Sequence, residues 1–360
     1  MRIDSVEYSD FRNIASARVE LSGGVNIFIG ANGAGKTSAL EGMHLFAHGR
    51  SFRARRDSEL VRFGSVSASL SMRFSDSKRQ NEAEYKLDLV KKKRYCRLNG
   101  VDITRLSEFI GALRAVLFCP QDLRLVSDGP ALRRQFVDSA LSQLYPAYVS
   151  LLQRYNDILA QRNALLRAAS ERRGDRKVNL DTLAIWSEQL AQASAKVAAR
   201  REAYVSRLDI VMRELLSDMT LGTERVALHY EKAQTEEEYL HMLTSCVERE
   251  VRVGTTIYGA HRDDIAITLC GRDARAFSSQ GQQRSIALAM KLAEGMLSRE
   301  ETGEYPVFLL DDIFSELDDS RKQYLAQGLS GRQVVITSCD RIKTDGAKVF
   351  SVSNGGIAEE

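Results

Sequence analysis

Gly30-Ala31-Asn32-Gly33-Ala34-Gly35-Lys36-Thr37 decides the reading of this chain. It completes the phosphate-loop pattern: glycine, four residues, glycine, lysine, hydroxyl residue. An apolar run from Val25 to Ile29 precedes it and reads as a buried strand, and a helix-compatible run from Lys36 to Gly49 follows. In such a loop the glycines let backbone N–H groups turn inward around a phosphate, and the helix start adds its positive end. Gly30, Ala31, Asn32, Gly33, Ala34, Gly35, Lys36, Thr37 and Ser38 are therefore the expected nucleotide contacts. Lys36 would reach the β- and γ-phosphates of ATP, and Thr37 would ligate Mg2+.

The loop needs an acidic partner for the metal. Val307-Phe308-Leu309-Leu310-Asp311-Asp312 supplies it, an apolar strand ending in two carboxylates. Asp311 is the expected Mg2+ carboxylate, and Asp312 stands where a second acid polarises the attacking water. Lys36 and Asp311 lie near opposite ends of the chain, so one nucleotide site makes everything between them an excursion from a single ATPase domain. Ser278-Ser279-Gln280-Gly281-Gln282-Gln283-Arg284 opens a helix expected over Gln282 to Leu297. Serine and glycine there form an anion-binding helix end, although a capped helix without a ligand would look the same.

Outward from these motifs, residues 1 to about 122 read as strands and turns, with period-two alternation in Ser65–Phe74 and Glu84–Leu89. Asn99-Gly100 marks a hairpin. At Asp128-Gly129-Pro130 the texture turns helical, with Pro130 suited to a first helical position and Asp128 or Gly129 to its cap. Leu190, Val197, Tyr204 and Val211 recur every seven residues, with Ala193, Leu208 and Leu215 on the same face. That seam fits either helices packed as a compact lobe or a projecting coiled coil. Trp186, at its start, reads as packing, and the polar stretch from Glu171 to Lys177 as an interhelical loop. Strand character returns at Val251–Ile257, Ile265–Leu269 and Val334–Thr337, and a hairpin from Lys348 to Ser353 turns at Asn354-Gly355 or Gly355-Gly356.

With 360 residues, 44 % of them apolar, the chain can bury a sizeable core and is not a disordered protein. The first residues alternate like a strand and do not read as a signal peptide, and no apolar run is long enough to cross a membrane. Cys96, Cys119, Cys246, Cys270 and Cys339 are scattered, so they suggest isolated buried thiols in a reducing compartment, not a zinc site or a disulfide scaffold. The net charge of +3 does not by itself indicate nucleic acid. Local runs do more: Arg50, Arg53, Arg55 and Arg56 form one, Lys91 to Arg94 with Arg97 another. Both could pair with DNA phosphates, or could simply be solvated turns.

Taken together, these residues resemble the ABC ATPase superfamily and, more narrowly, the bacterial RecF family of DNA replication and repair. The resemblance runs over nearly the whole chain. It is carried by Tyr8-Ser9-Asp10-Phe11-Arg12-Asn13-Ile14, the phosphate loop, Phe118-Cys119-Pro120-Gln121-Asp122-Leu123, Gly259-Ala260-His261-Arg262-Asp263-Asp264, Ser279 to Arg284, and Asp311 to Asp318. It implies an α/β fold, an ABC-type head built from residues 1–127 and 251–360, with a mostly helical arm inserted over 128–250. It makes Gln121 a Q-loop glutamine with a role in catalysis and a possible metal contact. Ser279, Gly281 and Gln282 become signature residues that would face the phosphate loop of a second subunit.

The same resemblance implies a weak, DNA-stimulated ATPase that dimerises around ATP and Mg2+ and binds DNA at single-stranded gaps or duplex/single-strand junctions. It would work with RecR and RecO to load RecA, in the bacterial cytoplasm and nucleoid, within SOS and recombinational repair. Asp312 departs from the glutamate common at this point in the superfamily. No histidine lies beyond it to act as a switch, leaving Thr337 or Ser338 as γ-phosphate sensor. His261 could touch nucleotide or DNA, or serve a structural hydrogen bond. A transporter subunit would have carried a switch histidine and a smaller insertion. An SMC-like clamp that hardly hydrolyses ATP would share the fold, and only turnover separates it.

Overall fold

The computed structural model describes the whole chain except residues 105–107, 172–179, 232, 342–343 and 345. In chain order the elements begin with β1 (Arg2–Phe11), β2 (Ile14–Glu20), β3 (Val25–Ile29), α1 (Lys36–His48), β4 (Ser67–Ser75), β5 (Gln80–Asp88), β6 (Lys93–Leu98), β7 (Val101–Ile103) and β8 (Ala115–Phe118). Then come α2 (Pro130–Leu144), α3 (Pro146–Glu171), α4 (Leu180–Met219), β9 (Val226–Glu231), α5 (Glu236–Ser245), α6 (Val247–Val253), β10 (Asp264–Leu269), β11 (Arg272–Asp273) and α7 (Ala274–Phe277). The chain ends with α8 (Gln280–Thr302), β12 (Val307–Asp311), α9 (Asp319–Gly328), β13 (Val334–Ser338), β14 (Lys348–Ser353) and β15 (Gly356–Glu359). Packing divides it into two units: Met1–Ser127 with Val211–Arg225 and Ser278–Glu360, and Asp128–Ile210 with Val226–Phe277.

The first unit holds two sheets. One has the order β15-β14-β3-β13-β12-β8, with every pairing parallel except β15 on β14. Its central strands are short apolar runs because both faces are covered. On one face lie Leu288 and Leu292 of α8 and Leu325 of α9. On the other lies α1, with Met43, Leu45 and Phe46 in a core shared with Val307, Leu309 and Val335. The second sheet, β2-β1-β4-β5-β6-β7, is antiparallel, and its strands β4 and β5 alternate between buried and more exposed residues. Its buried face (Tyr8, Leu70, Met72, Tyr85) closes the same core over α1, and the Tyr8 hydroxyl donates to the Ala39 carbonyl at 2.7 Å. In the β6–β7 hairpin, Asn99 and Gly100 both take positive φ, the geometry their sequence predicts. The C-terminal hairpin turns at Asn354-Gly355, which settles that alternative.

Parallel register sets the site. Asp311 pairs with Thr337, Ser338 with Ile29, and Leu310 with Phe118, so β3, β12, β13 and β8 end at one edge of the sheet. The carboxyl ends of parallel strands are where open α/β sheets hold ligands.

In the second unit Gly129 caps α2 and Pro130 takes its first position. Leu190, Ala193, Val197, Tyr204 and Leu208 of α4 are buried. Polar ties also bind α4 to its neighbours: Arg201 pairs with Asp138 of α2 at 2.7 Å, and Arg162 of α3 donates to Ser187 at 3.1 Å. The seam from Leu190 to Leu208 therefore belongs to a packed lobe, with Trp186 half-buried on it, while Val211 and Leu215 fall in the first unit. The interhelical loop expected over 171–177 lies outside the described residues from 172 onward.

Three expectations change. Residues 251–257 are not a strand: α6 runs to Val253 and closes on Gly254 in the left-handed region. The alternation of Val251, Arg252 and Val253 misleads because Glu250 is the residue that must face inward. There it pairs with fully buried Arg162 at 2.6 Å and accepts the Ile257 N–H. The return to the first unit comes at 278, not 251, because β10 pairs with β9 from Asp264↔Glu231 to Leu269↔Val226. Residues 211–225 also pack with the first unit. The thiols are not uniformly buried either, since Cys270 and Cys339 are exposed.

Candidate functional site

β3 delivers the chain into the phosphate loop, where Gly33 and Gly35 take φ of +80° and +122°, values that only glycine adopts cheaply. Asn13, in the β1–β2 turn, donates through Nδ2 to the Gly33 carbonyl at 2.9 Å. α1 then starts at Lys36. The Lys36 ammonium donates to the carbonyls of Gly30 (2.8 Å) and Ala31 (3.1 Å) and to Cys339 Sγ (3.3 Å). A cavity of about 480 Å³ opens over the loop, lined in part by Gly33, Gly35, Lys36, Thr37 and Ser38. That volume suits a nucleotide-sized ligand.

Thr37 donates to Asp311 Oδ1 at 2.8 Å, closing a span from one end of the chain to the other. Thr337 donates to the same oxygen at 2.8 Å and accepts the Asp312 N–H at 2.9 Å. Burial raises the Asp311 carboxyl above its ordinary range; the Thr337 and Thr37 hydroxyls pull it back, Asp312 pushes it up and Arg53 draws it down. A buried carboxylate beside a hydroxyl is a hard-oxygen pair that fits Mg2+. Among the described residues no cluster of three or more His, Cys, Asp or Glu could hold a metal, so phosphate and water would supply the other ligands. Asp312, in the left-handed region at φ 49°, lines the cavity.

Of the two residues proposed to replace a switch histidine, Thr337 shares the Asp311 Oδ1 acceptor with Thr37 of the phosphate loop. Thr337 is fully buried and spent on Asp311 and Asp312; the Ser338 hydroxyl accepts the Asp340 N–H at 3.1 Å. The side chain that reaches Lys36 is Cys339, which also donates to Asn32 Oδ1 at 2.9 Å. Its place just past an apolar strand was the available signal.

Gln121 sits in the 3-10 turn Pro120–Arg124, exposed and outside the cavity wall. Asp122 pins that turn by accepting the Cys119 N–H at 2.9 Å. Ser279 caps α8 by accepting the Gln282 N–H at 3.2 Å, while Gln282 accepts the Ser279 N–H at 2.8 Å and donates to Glu224 at 3.0 Å. Gly281 lies under the Arg321 guanidinium. Ser279, Gly281 and Gln282 are not brought to this chain's own phosphate loop.

The basic run divides. All four arginines are exposed, and of the four Arg53 lines the cavity. The loop is held to α1 through buried Glu41, which receives the Arg12 guanidinium at 2.7 and 2.9 Å and the Ser51 hydroxyl; Ser51 in turn accepts the N–H groups of Arg53 and Ala54. In the second run Arg94 pairs with Asp57, and Arg97 with Asp102 at 2.9 Å.

The Gly259–Asp264 segment is a lock inside the second unit. Arg133 grips Asp264 through two 2.8 Å bonds, and Asp263 accepts the hydroxyls of Tyr230 (2.6 Å) and Tyr239 (3.1 Å). The Tyr155 hydroxyl accepts the His261 N–H at 2.9 Å and donates to its Nδ1 at 2.8 Å, leaving the ring proton on Nε2 toward the Thr256 carbonyl. This settles the structural reading of His261. Burial lowers its pKa to about 4, and that of His48 on α1 to about 3. Because these folded values lie below the usual 6.5, the unfolded chain takes up the protons first. The contribution is intact above pH 6.5 and is lost as pH falls from there toward 4 for His261 and toward 3 for His48. Histidine NMR resonances of both residues should stay flat from pH 8 to pH 5; a titration near 6.5 in either would refute their burial as neutral rings.

The RecF/RecN/SMC N terminal domain model matches residues 2–354. The DNA replication and repair protein RecF of Halothermothrix orenii is 39 % identical over 374 residues, covering 99 % of this chain and 98 % of that protein. That of Bacillus subtilis is 34 % identical over 375 residues, covering both chains in full. A solved structure of the recombination mediator protein RecF-ATP in the RecFOR pathway superposes with a TM-score of 0.91 at 31 % identity, over 99 % of this chain and 97 % of that one. An Smc head domain from Pyrococcus furiosus shares the fold, with a TM-score of 0.58 at 15 % identity, over 99 % of this chain and 95 % of that one.

Proposed function

The chain belongs to the bacterial RecF family of DNA replication and repair proteins, within the ABC/SMC-like ATPases, and from that premise we propose that it is an ATP-gated DNA clamp. Two copies would close around ATP and Mg2+, the phosphate loop of one facing the Ser279 signature of the other. One observation supports the reading above others: Thr37 and Asp311, from opposite ends of the chain, meet at 2.8 Å beside Lys36. A nucleotide there ties both ends of the polypeptide into one site.

The γ-phosphate neutralises and bridges two surfaces, and its hydrolysis releases them. Asp312 would polarise the attacking water from one methylene further back than glutamate, which fits slow turnover. The clamped DNA would be a gap or a duplex/single-strand junction, with RecR, RecO and RecA as pathway partners in the bacterial cytoplasm. Gln121 and the signature residues would join the site only when the second copy docks. Binding to duplex, single-stranded and gapped DNA, with and without ATP and magnesium, tests the proposal; equal affinity for gapped DNA in both conditions would remove the gate.

Arg50, Arg55 and Arg56 are the proposed phosphate contacts, and Arg53 serves the nucleotide. Removing the three surface charges should weaken binding to all DNA sequences alike. For each DNA phosphate left without its arginine, the plot of log affinity against log salt should flatten by about 0.9. An unchanged slope would assign the run to solubility.

A further inference from the structure

Lys291, in the middle of α8, is only 7 % exposed, and it does not line the nucleotide cavity. Lysine is almost never buried unless it is paired. Its Nζ stands 2.7 Å from Glu294 Oε2, and Glu294 is itself buried. Such a pair adds little net stability, because desolvating both ions offsets their attraction. Its location matters more than its energy. Leu288 and Leu292, on the same face of α8, share one core with Phe118 and Leu123. Gln121 and Asp122 lie between those two residues in the chain, so α8 packs against the 3-10 turn that carries Gln121.

Three elements meet at this ammonium. Burial alone would lower the Lys291 pKa, but Glu294 and then Asp122 raise it above its ordinary value. Burial raises the Glu294 carboxyl, Lys291 pulls it back, and Asp122 pushes it up again. On α1, burial lowers His48 and Lys291 lowers it further. The two carboxylates, one on α8 and one in the turn, therefore repel each other across a cation that attracts both. Asp122 also fixes the turn internally, accepting the Cys119 N–H at 2.9 Å and the Cys119 thiol at 3.3 Å. At the start of the same helix, Ser279 caps the signature residues. One helix thus carries the signature at its end and, about three turns on, the tie to the Gln121 turn.

We propose that Lys291 is a positioning residue for ATP hydrolysis: paired with Glu294, it draws Asp122 toward α8 and so sets the turn that presents Gln121. The assignment rests on the ATPase reading above. Lys291 acts through the turn and not on the nucleotide. Gln121 and the Ser279 end of α8 are then delivered in fixed relation when a second copy docks. Without the cation, Glu294 and Asp122 face each other as like charges, and the turn moves away from α8.

Steady-state turnover and calorimetry with Mg-ATP test it in two variants. Asp122→Asn removes the charge that attracts Lys291, while the amide oxygen still accepts the Cys119 N–H. Lys291→Met combined with Glu294→Gln removes the pair together and strands no buried charge, so the unfolding temperature should stay near that of the unaltered chain. Each variant should leave Mg-ATP affinity unchanged and lower kcat roughly tenfold to a hundredfold, the cost of a small misplacement set from outside the site. Joining all three substitutions should lower kcat no further, because they cut one tie. Unchanged kcat in either variant overturns the proposal. Equal loss of kcat and ATP affinity also overturns it, since a merely structural role would produce that result, and so do losses that multiply when the substitutions are joined. If the unaltered chain binds ATP without hydrolysing it, the ATPase reading fails and this role with it.

Discussion

Lys36→Met abolishes ATP binding. Calorimetry with Mg-ATP shows no heat, and the rise in unfolding temperature that ATP produces in the unaltered chain disappears. The Lys36 ammonium rests on the Gly30 and Ala31 carbonyls at the cavity floor, already aimed where a phosphate would sit. Methionine is one heavy atom shorter and keeps most of the apolar stem of this buried side chain, so the fold survives while the charge is removed. At a nucleotide concentration of one hundred times Kd, bound ligand adds about 2.7 kcal/mol to stability, and that increment is what vanishes. ATP-dependent DNA binding goes with it. A variant that still binds ATP with near-normal heat, or whose DNA affinity responds to ATP as before, defeats the clamp.

Asp312→Asn gives the opposite phenotype: ATP still binds, turnover falls by about two to four orders of magnitude, and the dimer persists. Asp312 occupies the left-handed region, which asparagine tolerates, and its N–H stays bonded to Thr337. The replacement therefore removes a base without moving the turn. Asp311, the proposed metal carboxylate, stays held by two threonine hydroxyls. Light scattering with ATP should report twice the 40.2 kDa chain mass. Monomer alone under those conditions defeats the two-copy sandwich, and undiminished turnover moves the base elsewhere. The same turnover assay separates an ATPase from a structural clamp of the same fold.

The phosphate loop, the Asp311-Asp312 pair and the Asn99-Gly100 and Asn354-Gly355 turns were legible because each rests on local requirements. These are glycine at positive φ, a lysine one residue past it, and carboxylates at the end of an apolar run. Residues 251–257 misread because their alternation is local, whereas the buried partner that makes them helical, Arg162, lies far away in the chain. The division of the arginine run was also invisible. Arg53 lines the cavity from a loop that Ser51 and Arg12 tie to Glu41.

From sequence alone came the expected chemistry: a phosphate-loop pattern, an acidic pair proposed for the metal, and one domain assembled from the two ends of the chain. The tertiary structure decided which side chains surround that chemistry. It gave Thr337 to Asp311, Cys339 to Lys36 and His261 to Tyr155. The physical reason is register. Pairing Ile29 with Ser338 aligns strands from opposite ends of the chain, pairing Asp311 with Thr337 sets the neighbouring strand, and shifting either by one residue would turn a different side chain toward the site.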